Sequence, residues 1–261
     1  MNLKGFLLAL SWPFVLVTLV NFTVRHVIIT SPTDDTQGRW HLTQLPEPKV
    51  YTHYAQWYKA WSFERPEGET NRVVHFFHGN GRHPLDHGWQ LGELYARCNC
   101  TVIAVAYLRG GTDERQVDLT VSNYLNQFVV GHGNMKKDHY LYGVSLGAAA
   151  ALKGTRYVQP MLKGIILENP FTSLTDLLPA PLGLILYDKW DSLSLAECKK
   201  GTIQTLVLSS GKDEIVPPVQ HVRILHAISW TNDHFQRLEG ANHGDAPAHP
   251  DYWPAVERFL N

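Results

Sequence analysis

Three side chains in this sequence have the types, order and spacing that nucleophilic catalysis needs. The run Leu141-Tyr142-Gly143-Val144-Ser145-Leu146-Gly147-Ala148-Ala149-Ala150-Ala151 joins an apolar stretch, a Gly-x-Ser-x-Gly pentapeptide and a series of small residues. That is the strand–turn–helix context in which a sharp turn exposes a serine hydroxyl at the end of a strand. Gly143 and Gly147 leave room where a Cβ would crowd the adjoining strand and helix. The same pentapeptide also suits a glycine-rich turn that only packs a helix on a sheet. A nucleophilic Ser145 therefore needs partners.

The partners follow in the chain. Thr205 to Gly211 reads as a buried strand, and Lys212-Asp213-Glu214-Ile215-Val216-Pro217 leaves its end. Asp213 is the candidate carboxylate; Glu214, one step along, is its rival and is expected to point elsewhere. His234 to Gly240 reads as a half-buried strand, and Ala241-Asn242-His243-Gly244-Asp245 is the loop after it. From there His243 can face Ser145 with one ring nitrogen and donate to Asp213 with the other. Asp245, only two residues away, is expected to support the loop. The apolar strand Val73 to Phe77 runs into His78-Gly79-Asn80-Gly81, a turn whose backbone can point N–H groups into a site. The amides of Asn80 and Leu146 are the candidate oxyanion hole. His78 is expected to order the turn.

These segments, with Leu167-Glu168-Asn169-Pro170-Phe171-Thr172-Ser173, look like the α/β-hydrolase superfamily over roughly residues 70–261. Within it the chain resembles the membrane-anchored α/β-hydrolase-domain proteins 12, 13 and 17, the first of these foremost. The resemblance implies a serine carboxylic-ester hydrolase of the lipase, esterase and thioesterase class. It also implies lipid substrates of the monoacylglycerol or lysophospholipid type and no cofactor. One departure is Tyr107-Leu108-Arg109-Gly110-Gly111, where relatives have Tyr-Arg-Gly; the inserted leucine alters a loop bordering the pocket. Two alternatives stay open. One is an acyl-protein thioesterase, although no N-terminal cysteine cluster is present. The other is a non-catalytic binding protein on a hydrolase fold.

The elements that must position these residues are also readable. With 44% hydrophobic and 18% charged residues, the 261-residue chain can fill the core of one large domain. A formal charge of −1 supplies no electrostatic reason for a nucleic-acid partner. Fourteen histidines raise the question of metal. His75 and His78 would face opposite sides of a strand, and Pro84 disfavours helix at His83, so the spacing of His83 and His87 carries little. No third ligand is evident, and neither metal nor cofactor is expected. Cys98, Cys100 and Cys198 form no paired framework and read as free thiols.

Val102 to Tyr107 and Gly164 to Glu168 read as further strands. Val117, Val121, Tyr124, Leu125 and Phe128 mark one helix face; Val219, Val222, Ile224 and Leu225 suggest a helix after Asp213; Tyr252 to Leu260 forms a last helix. Residues from Trp40 to Phe63 read as antiparallel strands. Such alternation predicts an α/β fold, with a mostly parallel sheet covered by helices on both faces. Residues 171–200, with the proline-broken apolar run Leu177 to Tyr187, sit where these folds insert a short cap. That run can guide an acyl chain, or it can be a helix completing the core.

From Gly5 to Val24 no charge interrupts the chain between Lys4 and Arg25, a length sufficient to span a bilayer. A cleaved signal peptide would have a shorter apolar region and a small-x-small cleavage site. The expectation is a signal anchor at 1–24 forming an N-terminal transmembrane helix, a linker at 25–50 and a hydrolase domain at 51–261. That makes a single-pass membrane protein, with the endoplasmic reticulum the candidate compartment. Lys4 on one side and Arg25, His26 and Arg39 on the other encode orientation poorly. In a lumenal domain Asn99-Cys100-Thr101 would be a glycosylation sequon opening a buried strand. The partners expected are a lipid or acyl-ester substrate and a membrane; no feature encodes an oligomeric state.

Overall fold

Apolar runs of six or seven residues, too short for helices and rich in β-branched types, become the buried strands of one sheet. The computed structural model describes residues 15–23, 45–52, 58–107, 113–131, 136–159, 161–179, 181–228 and 234–261. The strands are β1 (Lys49–Thr52), β2 (Tyr58–Phe63), β3 (Arg72–Phe77), β4 (Thr101–Tyr107), β5 (Asp138–Val144), β6 (Leu162–Glu168), β7 (Gln204–Ser210) and β8 (Phe235–Leu238). Their spatial order is β1-β2-β4-β3-β5-β6-β7-β8. β2 pairs antiparallel with both β1 and β4, and every other pairing is parallel. The antiparallel strands expected up to Phe63 are thus β1 and β2. Residues 40–44 lie outside the described residues.

Helices cover both faces, as parallel strands require. They are α1 (Gly88–Cys98), α2 (Glu114–Leu125), α3 (Leu146–Val158), α4 (Leu174–Leu177), α5 (Ser192–Glu197), α6 (Pro218–Ile228) and α7 (Tyr252–Leu260). Alternation along the strands divides the core in two. Leu141, Ile165 and Leu167 pack with Val121, Tyr124, Leu152 and Ile224 from α2, α3 and α6. Tyr142, Val144 and Ile166 pack with Leu91, Leu94 and Val256 from α1 and α7.

Local chemistry sets the helix ends. Asp113 accepts the Gln116 amide at 2.7 Å and starts α2. Asn99 ends α1 in the left-handed region, at φ 44°. Asn99 is itself exposed, whereas Cys100 and Thr101 after it are buried. The helix expected after Asp213 is α6, and its buried side is partly polar. Val219 is exposed, and Gln220 and His221 are buried instead. The helix begins at Pro218, so the 3–4 spacing through 220, 221, 224, 225 and 228 turns to the sheet. Gln220 is admitted because its Oε1 accepts the Thr172 amide at 3.0 Å.

In the cap segment, Phe171, Leu174, Leu186, Trp190 and Ala196 join the core. Leu184 and Tyr187 are exposed. The described N-terminal residues 15–23 are helical and meet this segment. The Asn21 amide donates to the Ile185 carbonyl at 2.8 Å and accepts from the Tyr187 backbone N–H at 2.6 Å. Among the described residues no helix is long and apolar enough to cross a membrane. Of the expected spanning stretch, residues 5–14 and 24 lie outside the described residues, as do 25–44 of the linker and 108–112 of the inserted loop.

α3 lies unusually close to the sheet. A Cβ on Gly147 would stand 2.0 Å from the Phe77 carbonyl oxygen, and one on Gly143 would stand 2.1 Å from the Gly147 carbonyl oxygen. Backbone on both sides cannot yield as a side chain would. Gly147→Ala should therefore lower unfolding stability by about 3 kcal/mol or more, read by denaturant titration. A change below about 0.5 kcal/mol would contradict this close packing.

Candidate active site

Ser145 stands between β5 and α3 with φ 53° and ψ −112°, a conformation non-glycine residues rarely adopt. Such strain costs about 1–3 kcal/mol and persists only where surroundings enforce it. Here the Ser145 amide donates to the Glu168 carbonyl at 2.8 Å, and the Ser145 carbonyl accepts the Ala148 amide at 2.9 Å. One bond ties the turn to β6 and the other to the first turn of α3.

The structure brings Ser145, His243 and Asp213 together from three separate segments. The Ser145 hydroxyl lies 3.0 Å from His243 Nε2, and His243 Nδ1 lies 2.7 Å from Asp213 Oδ2. The other carboxylate oxygen, Oδ1, accepts the amides of Ile215 at 2.9 Å and Val216 at 2.7 Å. Burial works to raise the Asp213 carboxyl. The hydrogen bonds from His243 and the Val216 amide outweigh it, and the group is held below its ordinary value. An ionised Asp213 keeps the proton of His243 on Nδ1, so Nε2 can accept from the serine.

The neighbours show why the rivals do not compete. Glu214 Oε2 accepts the His243 backbone amide at 3.1 Å and so braces the loop. Asp245 accepts the Asn242 amide at 2.6 Å and its side-chain NH2 at 3.0 Å, which closes the same loop on itself. His78 is buried, donates from Nδ1 to the Gly79 carbonyl at 2.8 Å and packs on Tyr107 with ring centroids 4.3 Å apart. Burial lowers it to about 3 and leaves it neutral.

The expected oxyanion donors flank the serine. Leu146 is the first residue of α3, so its amide has no acceptor within the helix. Gly79 packs against the turn, where a Cβ would lie 3.7 Å from Ser145 Cβ. Asn80, next in the chain, lines a cavity of about 450 Å3 together with Ser145, Glu168, Ile215, His243 and Pro247. No described residue of 171–200 lines it, so the apolar run from Leu177 borders other surfaces.

Three side chains near the serine have roles that sequence reading does not assign. Asn169, at φ 48°, donates to Ser210 Oγ at 3.0 Å and to the His243 carbonyl at 3.1 Å. Its Oδ1 accepts the Ser210 amide at 2.8 Å, so one side chain ties β6 and β7 to the histidine loop. His221 is fully buried with Nε2 3.5 Å from Asp213 Oδ2 and Nδ1 2.9 Å from Ser209 Oγ. Burial lowers it to about 4, so it stays neutral beside the acid. Glu168 is buried in the cavity wall, and burial lifts it to about 7 against the opposing hydrogen bond from Gln90 and charge of His243. Gln90, Tyr142 and Tyr252 surround it from three other elements. The one available signal was a glutamate ending the otherwise apolar run Ile165-Ile166-Leu167.

Two further histidines and two of the cysteines lie in the interior. His75 stacks on His139 and bonds Tyr124 at 2.6 Å. Cys98 and Cys100 are buried free thiols that burial pushes up, Cys98 to about 12; Cys198 is exposed. Among the described residues no group of three or more His, Cys, Asp or Glu side chains is arranged to hold a metal.

No protein-family model matches the chain. It is 28% identical over 157 residues to an uncharacterized membrane protein of Saccharomyces cerevisiae, YNL320W, covering 58% of this chain and 55% of that protein. It is 27% identical over 207 residues to protein bem46 of Schizosaccharomyces pombe, covering 74% of this chain and 68% of that protein. The chain thus spans little more than half the length of the first and about two thirds of the second. Among solved structures, the esterase Pf2001 of Pyrococcus furiosus matches with a TM-score of 0.64 at 14% identity, covering 89% of this chain and 98% of that one. MGS-M2, an alpha/beta hydrolase enzyme from a deep-sea metagenome, matches with a TM-score of 0.60 at 12% identity, covering 81% and 96%. The chain has the α/β-hydrolase fold.

The Glu168 environment predicts a pH signature. Below about pH 4.5 the acid holds its proton in both folded and unfolded chains. Between there and about 7 only the unfolded chain loses it, so the stability owed to this group falls as pH rises and then levels. Glu168→Gln has no such cost and should gain on the native chain by on the order of 3 kcal/mol across that window. Denaturant melts at several pH values read the difference; one that does not change with pH would contradict the burial of this acid.

Proposed function

We propose that the protein is a membrane-anchored serine hydrolase that cleaves carboxylic esters of lipids, of monoacylglycerol or lysophospholipid type, through an acyl-enzyme. The observation that carries this reading is the continuous pair of contacts from Ser145 Oγ to His243 at 3.0 Å and from His243 to Asp213 at 2.7 Å. His243 Nε2 takes the Ser145 proton as Oγ attacks the ester carbonyl. Asp213 stabilises the imidazolium that forms. The amides of Asn80 and Leu146 hold the oxyanion, each such donor being worth about 2.7–4 kcal/mol of barrier. His243 then protonates the leaving alcohol, and water repeats the sequence to release the acid. The esterase named among the structural neighbours is in keeping with this chemistry.

The membrane part of the reading rests on different observations. The uncharged stretch from Gly5 to Val24 supports a signal anchor at 1–24, followed by a linker at 25–50 and the hydrolase domain at 51–261. One relative carries the description of a membrane protein. Leu16, Leu19 and Phe22 are exposed on the described helical residues, and exposed Leu184 and Tyr187 lie on the segment that Asn21 grips. An anchored domain and a bilayer-held substrate share one surface, which favours their encounter.

Ser145→Ala should abolish labelling of the detergent-solubilised protein by a fluorophosphonate and lower ester turnover by about a millionfold. Labelling that survives the substitution would move the nucleophile elsewhere. A native protein that is folded yet never labels would favour a non-catalytic role. Parallel release assays on a lysophospholipid and an acyl-cysteine peptide separate the ester from the thioester reading, with the lysophospholipid expected to be preferred. Membranes carrying the full chain, washed in alkaline carbonate, should retain it in the pellet; release into the supernatant would contradict the anchor.

A further inference from the structure

The acyl-transfer scheme leaves unused a buried acid in the wall of its own cavity. Glu168 pairs in register with Val144, so it stands beside the residue that precedes Ser145. The alternation of the strands turns it to the same face as Tyr142, towards α1 and α7. There Oε2 accepts from Gln90 Nε2 at 2.9 Å, from the Tyr142 hydroxyl at 2.8 Å and from the Tyr252 hydroxyl at 2.5 Å. Three donors exceed the two lone pairs of that oxygen and leave it no room for a ligand. Oε1 accepts from none of the described residues, and Glu168 lines the cavity.

The carboxylate is also held against rotation. His87 Nδ1 donates to Gln90 Oε1 at 3.0 Å, which turns the amide NH2 of Gln90 towards Glu168. Burial lowers His87 to about 4, so this donor is a neutral imidazole. Arg82, Asp86, His87 and Gln90 line the same cavity as Glu168. The cavity also has apolar walls at Trp89, Val144 and Ile215, and the polar group at Glu168 suits the alcohol part of an ester.

We propose that Glu168 is a specificity-determining residue: its Oε1 accepts a hydrogen bond from a free hydroxyl on the leaving alcohol, so the site prefers esters of polyhydric alcohols. This rests on the ester-hydrolase reading above and adds a residue to it. A substrate without the hydroxyl leaves a desolvated acceptor unpaired, which is a stronger basis for discrimination than a change of shape.

The test compares a 2-hydroxyethyl ester with the 2-methoxyethyl ester of the same acid, above about pH 7, where Glu168 is ionised. The native protein should prefer the hydroxyethyl ester in kcat/KM by about ten- to a hundredfold. In Glu168→Gln an amide replaces the acceptor, and the ratio should fall to near one. Glu168→Asp, which draws the carboxylate back from the cavity, gives the same readout if the glutamine variant does not fold. A native ratio near one, or a ratio that survives both substitutions, would overturn the proposal. Ser145-dependent labelling of that same native sample would show the hydrolase reading still standing. A native sample that neither labels nor hydrolyses either ester would bring down both.

Discussion

The backbone of Ser145 is held at a positive φ because α3 is pressed onto β3 and β5 more tightly than any side chain would permit. The glycines at 143 and 147 are the condition for that approach, since a Cβ at either would stand about 2 Å from a backbone oxygen. Once the turn is forced, its amide finds the Glu168 carbonyl and its carbonyl finds Ala148. The side chain is left projecting past the end of β5. The loops after β7 and β8 leave the same edge of the parallel strands, so Asp213 and His243 arrive where the serine already points. Everything proposed for the chemistry depends on this one close contact.

Two carboxyl groups near the serine are pushed in opposite directions by what surrounds them. Asp213 is buried but receives two backbone amides and an imidazole N–H, and its carboxyl is held below its ordinary value. Glu168 is buried among an amide and two phenols, neutral donors that do not fully replace water, and it rises to about 7. Environments that drive like groups apart in this way assign them different work. The first is suited to hold a charge opposite an imidazolium. The second is suited to meet a ligand. His221, buried neutral beside Asp213, fills space next to the acid without competing for its charge.

Local patterns made much of the architecture legible. The apolar runs ending at Phe77, Tyr107, Val144, Glu168 and Ser210 are strands, and Tyr252–Leu260 is a helix. The order of Ser145, Asp213 and His243 led to residues that the fold brings within hydrogen-bonding reach. What could not be read were polar contacts whose partners lie far apart in the chain. Glu168 meets Gln90, 78 residues before it, and Tyr252, 84 residues after it. No short window contains that cluster. On α6 apolarity alone does not decide burial: Val219 is exposed, while Gln220 is buried against a backbone partner. The cap was open to two readings because an apolar, proline-broken run looks the same whether it completes a core or covers a site. Its buried Leu186 and Trp190 show that it does part of the first, and none of its described residues lines the cavity.

Covalent transfer to Ser145 would leave an adduct that can be caught. Mixing the protein with an activated p-nitrophenyl ester, quenching in acid during turnover and weighing the proteolytic peptides reads it directly. An acyl-enzyme route predicts that the peptide containing Ser145 gains the mass of one acyl group and that the mark sits on its hydroxyl. Turnover with the Ser145 peptide unmodified throughout, or with the acyl group on another residue, would contradict the route.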